Sequence, residues 1–224
     1  MKTLDTRPKR ALRLAKRLFT LLVIATLFGG VNLTPRMAVA DIADHVDMKG
    51  GNTFITAFYD GTLPITRFSR QYLVDGENAI LLCTVSPSIM GWYDRDWCKA
   101  ETWDGAPVHA GLRMHTQGGK RTTYLFGRLD NGYIDSLSIH AAATVWEKDN
   151  TTHYEVTKVF EVPKEAIFRG KNDKRYILCP VDGLVADASE YVQYRSFRIL
   201  GHDYSGAVLA DEEVSFQSWS TSAD

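Results

Sequence analysis

Apolar and polar residues alternate with a period of two over much of the chain beyond residue 50, the mark of strands half buried in a sheet. NTFITAFYDG reads as a strand ending at Asp60-Gly61, and FSRQYLVDGENAILLCTV as two strands joined at Asp75-Gly76. In PVHAGLRMH the division is regular. Val108, Ala110, Leu112 and Met114 point one way; His109, Gly111, Arg113 and His115 point the other.

RTTYLFGRLDNGYIDSLSIHAAATVW carries Asn131-Gly132, a pair suited to a type I′ hairpin turn, which needs positive φ at both central residues. That turn sets a register: Asp130 faces Tyr133, Arg128 faces Asp135, Phe126 faces Leu137 and Tyr124 faces Ile139. Leu137, Ile139, Ala141, Ala143 and Val145 then face inward, with Ser136, Ser138, His140, Thr144 and Trp146 outward. A second turn at Asp149-Asn150 returns THYEVTKVFEV, placing His153 opposite Trp146 and making residues 121–162 a three-stranded meander.

VPKEAIFRG fits one helical turn between Pro163 and Gly170. In DASEYVQYRSFRILG, Asp187 and Glu190 have capping-box spacing, yet Tyr191, Val192, Tyr194, Phe197 and Ile199 suit a strand, which the β character of the chain favours. The predicted fold is all-β: one antiparallel β-sandwich or partly closed barrel.

The N-terminus has a different texture. Seven Lys and Arg lie in residues 1–17, followed by an apolar run from Leu18 to Val31. Ala38-Val39-Ala40 supplies a small-residue cleavage pattern before Asp41. The run matches a signal-peptide core and is shorter than the roughly 20 residues of a spanning helix. The expectation is a bacterial-type secretory signal at residues 1–40 and a single β-domain at 41–224, periplasmic or secreted and not membrane-spanning after cleavage. No cysteine flanks the cleavage pattern and no twin-arginine pair precedes it.

Removing that segment changes the charge. The chain has 26 basic and 27 acidic residues; residues 1–40 hold 8 and 1, so the remainder carries 18 and 26, a net of −8. Such a domain is a poor general binder of nucleic acid and suits a neutral or basic partner.

Cys83, Cys98 and Cys179 complete the oxidisable set. In an oxidising compartment the expected disulfide joins Cys83 to Cys98 across a short loop, with Cys83–Cys179 as the rival because AILLC and YILC both read as buried strand ends. The odd thiol, Cys179 in the first pairing, can join two chains.

Three of the five tryptophans fall in GWYDRDWCKAETWDG. The stretch reads as an irregular loop tethered at Cys98. Trp92, Tyr93, Trp103, Asp94 and Asp104 are its expected binding residues, with Trp97 held structurally beside the cysteine. The packing alternative has the rings cover a satellite core.

Other candidates are weaker. Asp41, Asp44, His45 and Asp47 lie in what reads as a solvated, mobile terminus. His109 and His115 are about 20 Å apart along a strand and cannot share a metal. His140, His153, Trp146 and Glu155 share an outward sheet face. The chain has no P-loop, G-x-S-x-G, H-E-x-x-H, C-x-x-C or dinucleotide motif, and no cofactor or metal is expected. The expected function is a non-enzymatic binding protein for a protein partner, of the inhibitor, immunity or envelope-assembly kind. The alternative is a carbohydrate-active protein, lectin or glycoside hydrolase, using the Trp-rich stretch.

Overall fold

The computed structural model describes residues 7–28, 31–50, 53–58, 69–89, 91–117, 120–146, 153–181 and 191–220. Numbered in chain order, two helices, α1 (Arg7–Phe28) and α2 (Pro35–His45), precede the strands. The first sheet runs β1-β2-β3-β4, from Thr53–Phe58, Arg70–Asp75, Ala79–Ser88 and Gly91–Glu101. A central sheet has the order β13-β5-β6-β10-β9, from Ser215–Ser220, Val108–Gln117, Lys120–Leu129, Arg175–Pro180 and Ile167–Arg169. A third sheet runs β12-β11-β7-β8, from Val208–Glu213, Tyr191–His202, Ser136–Trp146 and His153–Val162. The pairings are antiparallel except β13 with β5. The all-β expectation holds, but three sheets are stacked where one sandwich or barrel was expected, and the described strands close no barrel.

Alternation explains the stacking. Along β5, Val108, Ala110 and Leu112 face the third sheet and pack with Leu137, Ile139 and Phe197. On the opposite face of the central sheet, Phe126 and Tyr176 meet Leu73, Ile80, Leu82 and Ala100 of the first sheet. The outer face of the first sheet is covered in turn by α2, whose Ala38, Val39, Ile42 and Ala43 lie on Val74, Leu81 and Val85. AILLC is a continuous apolar run because β3 is buried on both faces: Leu81 and Cys83 toward the helix, Ile80 and Leu82 toward the central sheet.

α2 begins where its chemistry directs. Thr34 caps it by accepting the Met37 amide, and Pro35 opens the first turn. The segment read as a mobile terminus is therefore the end of this helix, with Asp41, Asp44 and His45 on its solvent side. Ala38-Val39-Ala40 lies inside it, and Ala38 and Val39 are buried. α1 exposes Leu12, Leu14, Leu18 and Phe19. No described helix is long and apolar enough to cross a membrane.

The hairpin expected at Asn131-Gly132 is not formed. β6 pairs with β5 and β10, and β7 pairs with β8 and β11. Phe126 lies opposite Gly111 and Leu178, not Leu137. Neither Asn131 nor Gly132 has the positive φ that a type I′ turn requires. Instead Asn131 Oδ1 accepts the Tyr133 amide at 2.9 Å, and the chain passes from the central to the third sheet. The other half of the meander is as read, with Trp146 opposite His153. Pro163 opens a 3-10 turn at Lys164–Ala166, and Tyr191–His202 is a strand. Residues 187–190, Asp60-Gly61 and Asp149-Asn150 lie outside the described residues.

All three cysteines are free and buried. The Cys83–Cys98 disulfide fails on parity. Cys83 is opposite Trp97 and Leu82 opposite Cys98, so the two thiols point to opposite faces of the first sheet. Cys83 packs under α2, Cys98 between the first and central sheets, and Cys179 between the central and third, which also separates Cys83 from Cys179. Burial pushes the thiols up, to about 12 for Cys98 and Cys179 and further for Cys83. Cys179 thus presents no exposed thiolate to a second chain. In a thiol titration of the native protein, none of the three should react promptly, and all three should react in denaturant. Prompt modification of any one in the native state would contradict this packing.

Candidate functional site

The stretch expected to be a loop is strand β4 and the turn after it. A bulge between Asp94 and Asp96, opposite Val85 and Thr84, interrupts its alternation. Trp92 and Trp97 pack on the α2 side. The Trp92 amide donates to Asn32 O, and the Arg70 guanidinium lies 5.6 Å from its ring centroid. Tyr93 and Asp94 are exposed at this end of β4. Trp103 and Asp104 lie beyond the other end, about 30 Å away at a strand rise of ~3.3 Å per residue. The expected binding residues therefore separate. Trp92 is a packing residue, and Trp103, 47% exposed, is available at a surface.

Trp103 and Asp104 line a cleft of about 490 Å³. The turn after β6 supplies Asp130, Asn131 and Tyr133 to it, and the β2–β3 turn supplies Glu77. The two ring-bearing walls are Trp103 and Tyr133, the latter 84% exposed. Glu77 and Asp104 are exposed carboxylates. Arg128, a cation of the lining, is already engaged.

Among the described residues, its engagement forms a connected polar network. Arg128 donates Nε and Nη2 to the two oxygens of Asp130, each at 2.8 Å, and Nη1 to Asp75 Oδ1 at 2.6 Å. Asp75, 4% exposed, also accepts from Tyr176 Oη at 2.8 Å and Lys174 Nζ at 3.1 Å through Oδ2. On the other side, His109 Nε2 lies 3.0 Å from Asp130 Oδ2. An ionised carboxylate only accepts, so Nε2 carries the proton. His109 Nδ1 is buried without a partner among the described residues. The Trp103 and His109 rings meet edge to face at 5.4 Å and 88°. A continuous chain of contacts thus runs from buried Asp75 through Arg128, Asp130 and His109 to the exposed indole.

Burial alone would raise the Asp130 carboxyl, but hydrogen bonds from His109 and Arg128 prevail and bring it down to about 2. Tyr176 is held above the ordinary phenol range by burial and by its bond to Asp75.

The outward face of the third sheet carries local pairings instead of a convergent site. The Trp146 and His153 rings meet tilted at 4.6 Å and 38°, His140 lies 3.2 Å from Ser138 Oγ, and Glu155 pairs with Arg195. Among the described residues, no group of three His, Cys, Asp or Glu converges to hold a metal. Sequence reasoning found Trp103 and Asp104 but missed Asp75, His109, Arg128, Asp130 and Tyr133. The available signal was charge at positions whose strand parity points inward, namely His109 and Arg128. Comparison of the chain with protein-family models, curated proteins and solved structures gives no match.

Proposed function

We propose that this chain is an exported, non-enzymatic binding domain that holds a protein partner through the Trp103–Tyr133 cleft. One observation carries the reading: two exposed rings flank a cleft whose free charges are carboxylates, while the lining guanidinium of Arg128 is bound by Asp75 and Asp130. Such a surface favours a basic side chain, which meets acids and aromatic faces together. The net negative charge beyond residue 40 acts in the same direction. Asp130, lowered to about 2 with both oxygens occupied, is a structural anchor for Arg128 and His109 and has no proton to donate as a general acid. The basic, apolar N-terminus supports export.

The test begins with capture of the partner from the native envelope, followed by calorimetry. Trp103→Ala should weaken binding by about thirtyfold, ~2 kcal/mol for an aromatic hot spot, with the thermal midpoint nearly unchanged. Trp92→Ala should instead lower stability and leave affinity alone. Unchanged affinity in Trp103→Ala rejects the cleft. A glycan retained in a Trp103-dependent manner by an oligosaccharide array, with no protein captured, moves the conclusion to the carbohydrate reading.

A further inference from the structure

Trp103 belongs to two depressions. It also lines a cleft of about 360 Å³ together with Tyr194, Phe197 and Phe216. These three rings form a stack: Tyr194 and Phe197 at 5.1 Å and 28°, Phe197 and Phe216 at 4.9 Å and 30°. Phe197 is the buried footing of the stack, while Phe216 remains 37% exposed. Arg195 at this edge is paired with Glu155 at 2.6 Å, and Glu213 adds a carboxylate. Trp103 is thus shared by an acidic, ring-flanked cleft and an aromatic shelf. The perpendicular contact with the His109 ring supports the indole.

We propose that the two depressions are halves of one groove, and that it takes an extended polypeptide segment. A basic side chain of that segment sits between Glu77 and Asp104, and an aromatic side chain sits on the Phe216 stack. The proposal rests on the reading of Trp103 as the contact residue and adds the identity of what crosses it. A polypeptide supplies a cation and an apolar ring on one chain at a fixed spacing. A neutral glycan uses the rings but gains nothing from uncompensated carboxylates. Side-chain pockets at intervals along an extended backbone are a common way to read a peptide.

The experiment uses the full chain and synthetic peptides of the form acetyl-Arg-(Gly)n-Phe-amide, with n varied, measured by calorimetry and by the shifts of the Trp103 indole. At one spacing the peptide should bind at least tenfold more tightly than its Arg→Ala or Phe→Ala counterparts. Phe216→Ala should erase the advantage given by the aromatic residue and keep that given by arginine. Asp104→Asn combined with Glu77→Gln should do the reverse. Phe216→Leu, which keeps the shelf apolar, guards against misfolding, and unchanged thermal midpoints verify the fold. An aromatic advantage that survives both Phe216 variants overturns the groove, while arginine dependence on Asp104 and Glu77 leaves the cleft reading standing. If basic peptides bind no better than Glu-containing ones and Trp103→Ala has no effect on the captured partner, both readings fall. Trp103-dependent binding of a neutral hexasaccharide, with no peptide bound at any spacing, also overturns the groove as a peptide site.

Discussion

Arg113→Ala is expected to destabilise the protein by about 3–5 kcal/mol, the range for stripping one partner from a buried ion pair, and to lower the thermal midpoint by roughly 10 °C. Arg113 is 1% exposed, on the face of β5 that looks at the first sheet. Its Nη2 donates to Asp96 Oδ1 at 2.6 Å, to Oδ2 at 2.5 Å and to Thr84 Oγ1 at 2.8 Å. Asp96, only 4% exposed, loses this counter-charge in the variant. The pair itself is not an optimal solution, since Arg113 Nε and Nη1 are buried without a hydrogen-bond partner among the described residues. Desolvation of two charges with donors left over makes an apolar replacement of both tolerable. Arg113→Met combined with Asp96→Leu should therefore recover most of the loss. Urea unfolding of both single variants and the double measures the coupling directly. A single variant costing under about 1 kcal/mol, as an exposed pair would, rejects the buried placement.

Asp75→Ala should cost about 3 kcal/mol, because Arg128 is left with a bare apolar neighbour where its second carboxylate stood. Unlike Trp103→Ala, it should reduce stability and partner affinity together. Asp75 orients Arg128, Arg128 orients Asp130, and Asp130 fixes His109 beneath the indole. Asp75→Asn keeps the shape and loses the charge, so it should fall between wild type and alanine on both measures. The decisive measurement pairs a urea midpoint with a binding constant for each variant. Lost stability with wild-type affinity would show that the cleft does not depend on the buried chain of contacts.

What the sequence made legible followed from local alternation. β7 has one buried and one polar face, so Leu137, Ile139 and Ala141 were assigned inward correctly, and the Trp146–His153 register followed. Alternation failed where both faces are covered. In β4, Trp97 serves α2 while Asp96 and Cys98 serve the central sheet, and a bulge breaks the count, so a strand looked like a loop. Turn chemistry located the bend at Asn131-Gly132 but carried no information about which sheet the following strand joins. Gln117 pairs with Lys120, so β5 and β6 pair in the antiparallel sense as neighbours in the chain, a pairing that alternation alone did not announce. Cysteine spacing was similarly silent about parity. The cleft was half visible: a tryptophan beside acids drew attention to Trp103 and Asp104, whereas Asp75 and Asp130 looked like ordinary turn acids. Their role depends on Arg128 reaching from the central sheet to the first, a contact 53 residues apart for Asp75.

The distribution of the thiols turns the protein into its own set of unfolding reporters. Cys83 sits beneath the helix, Cys98 between the first and central sheets, and Cys179 between the central and third, one sulfur to each apolar layer. Brief alkylation during gradual denaturation, read by peptide mass, therefore dates the opening of each layer separately without introducing a label. Simultaneous labelling describes a single cooperative unit. Early labelling of Cys83 describes a helix that peels away while the stacked sheets stay closed. The order of three modification times is thus an experimental measure of how independently the layers of this fold hold together.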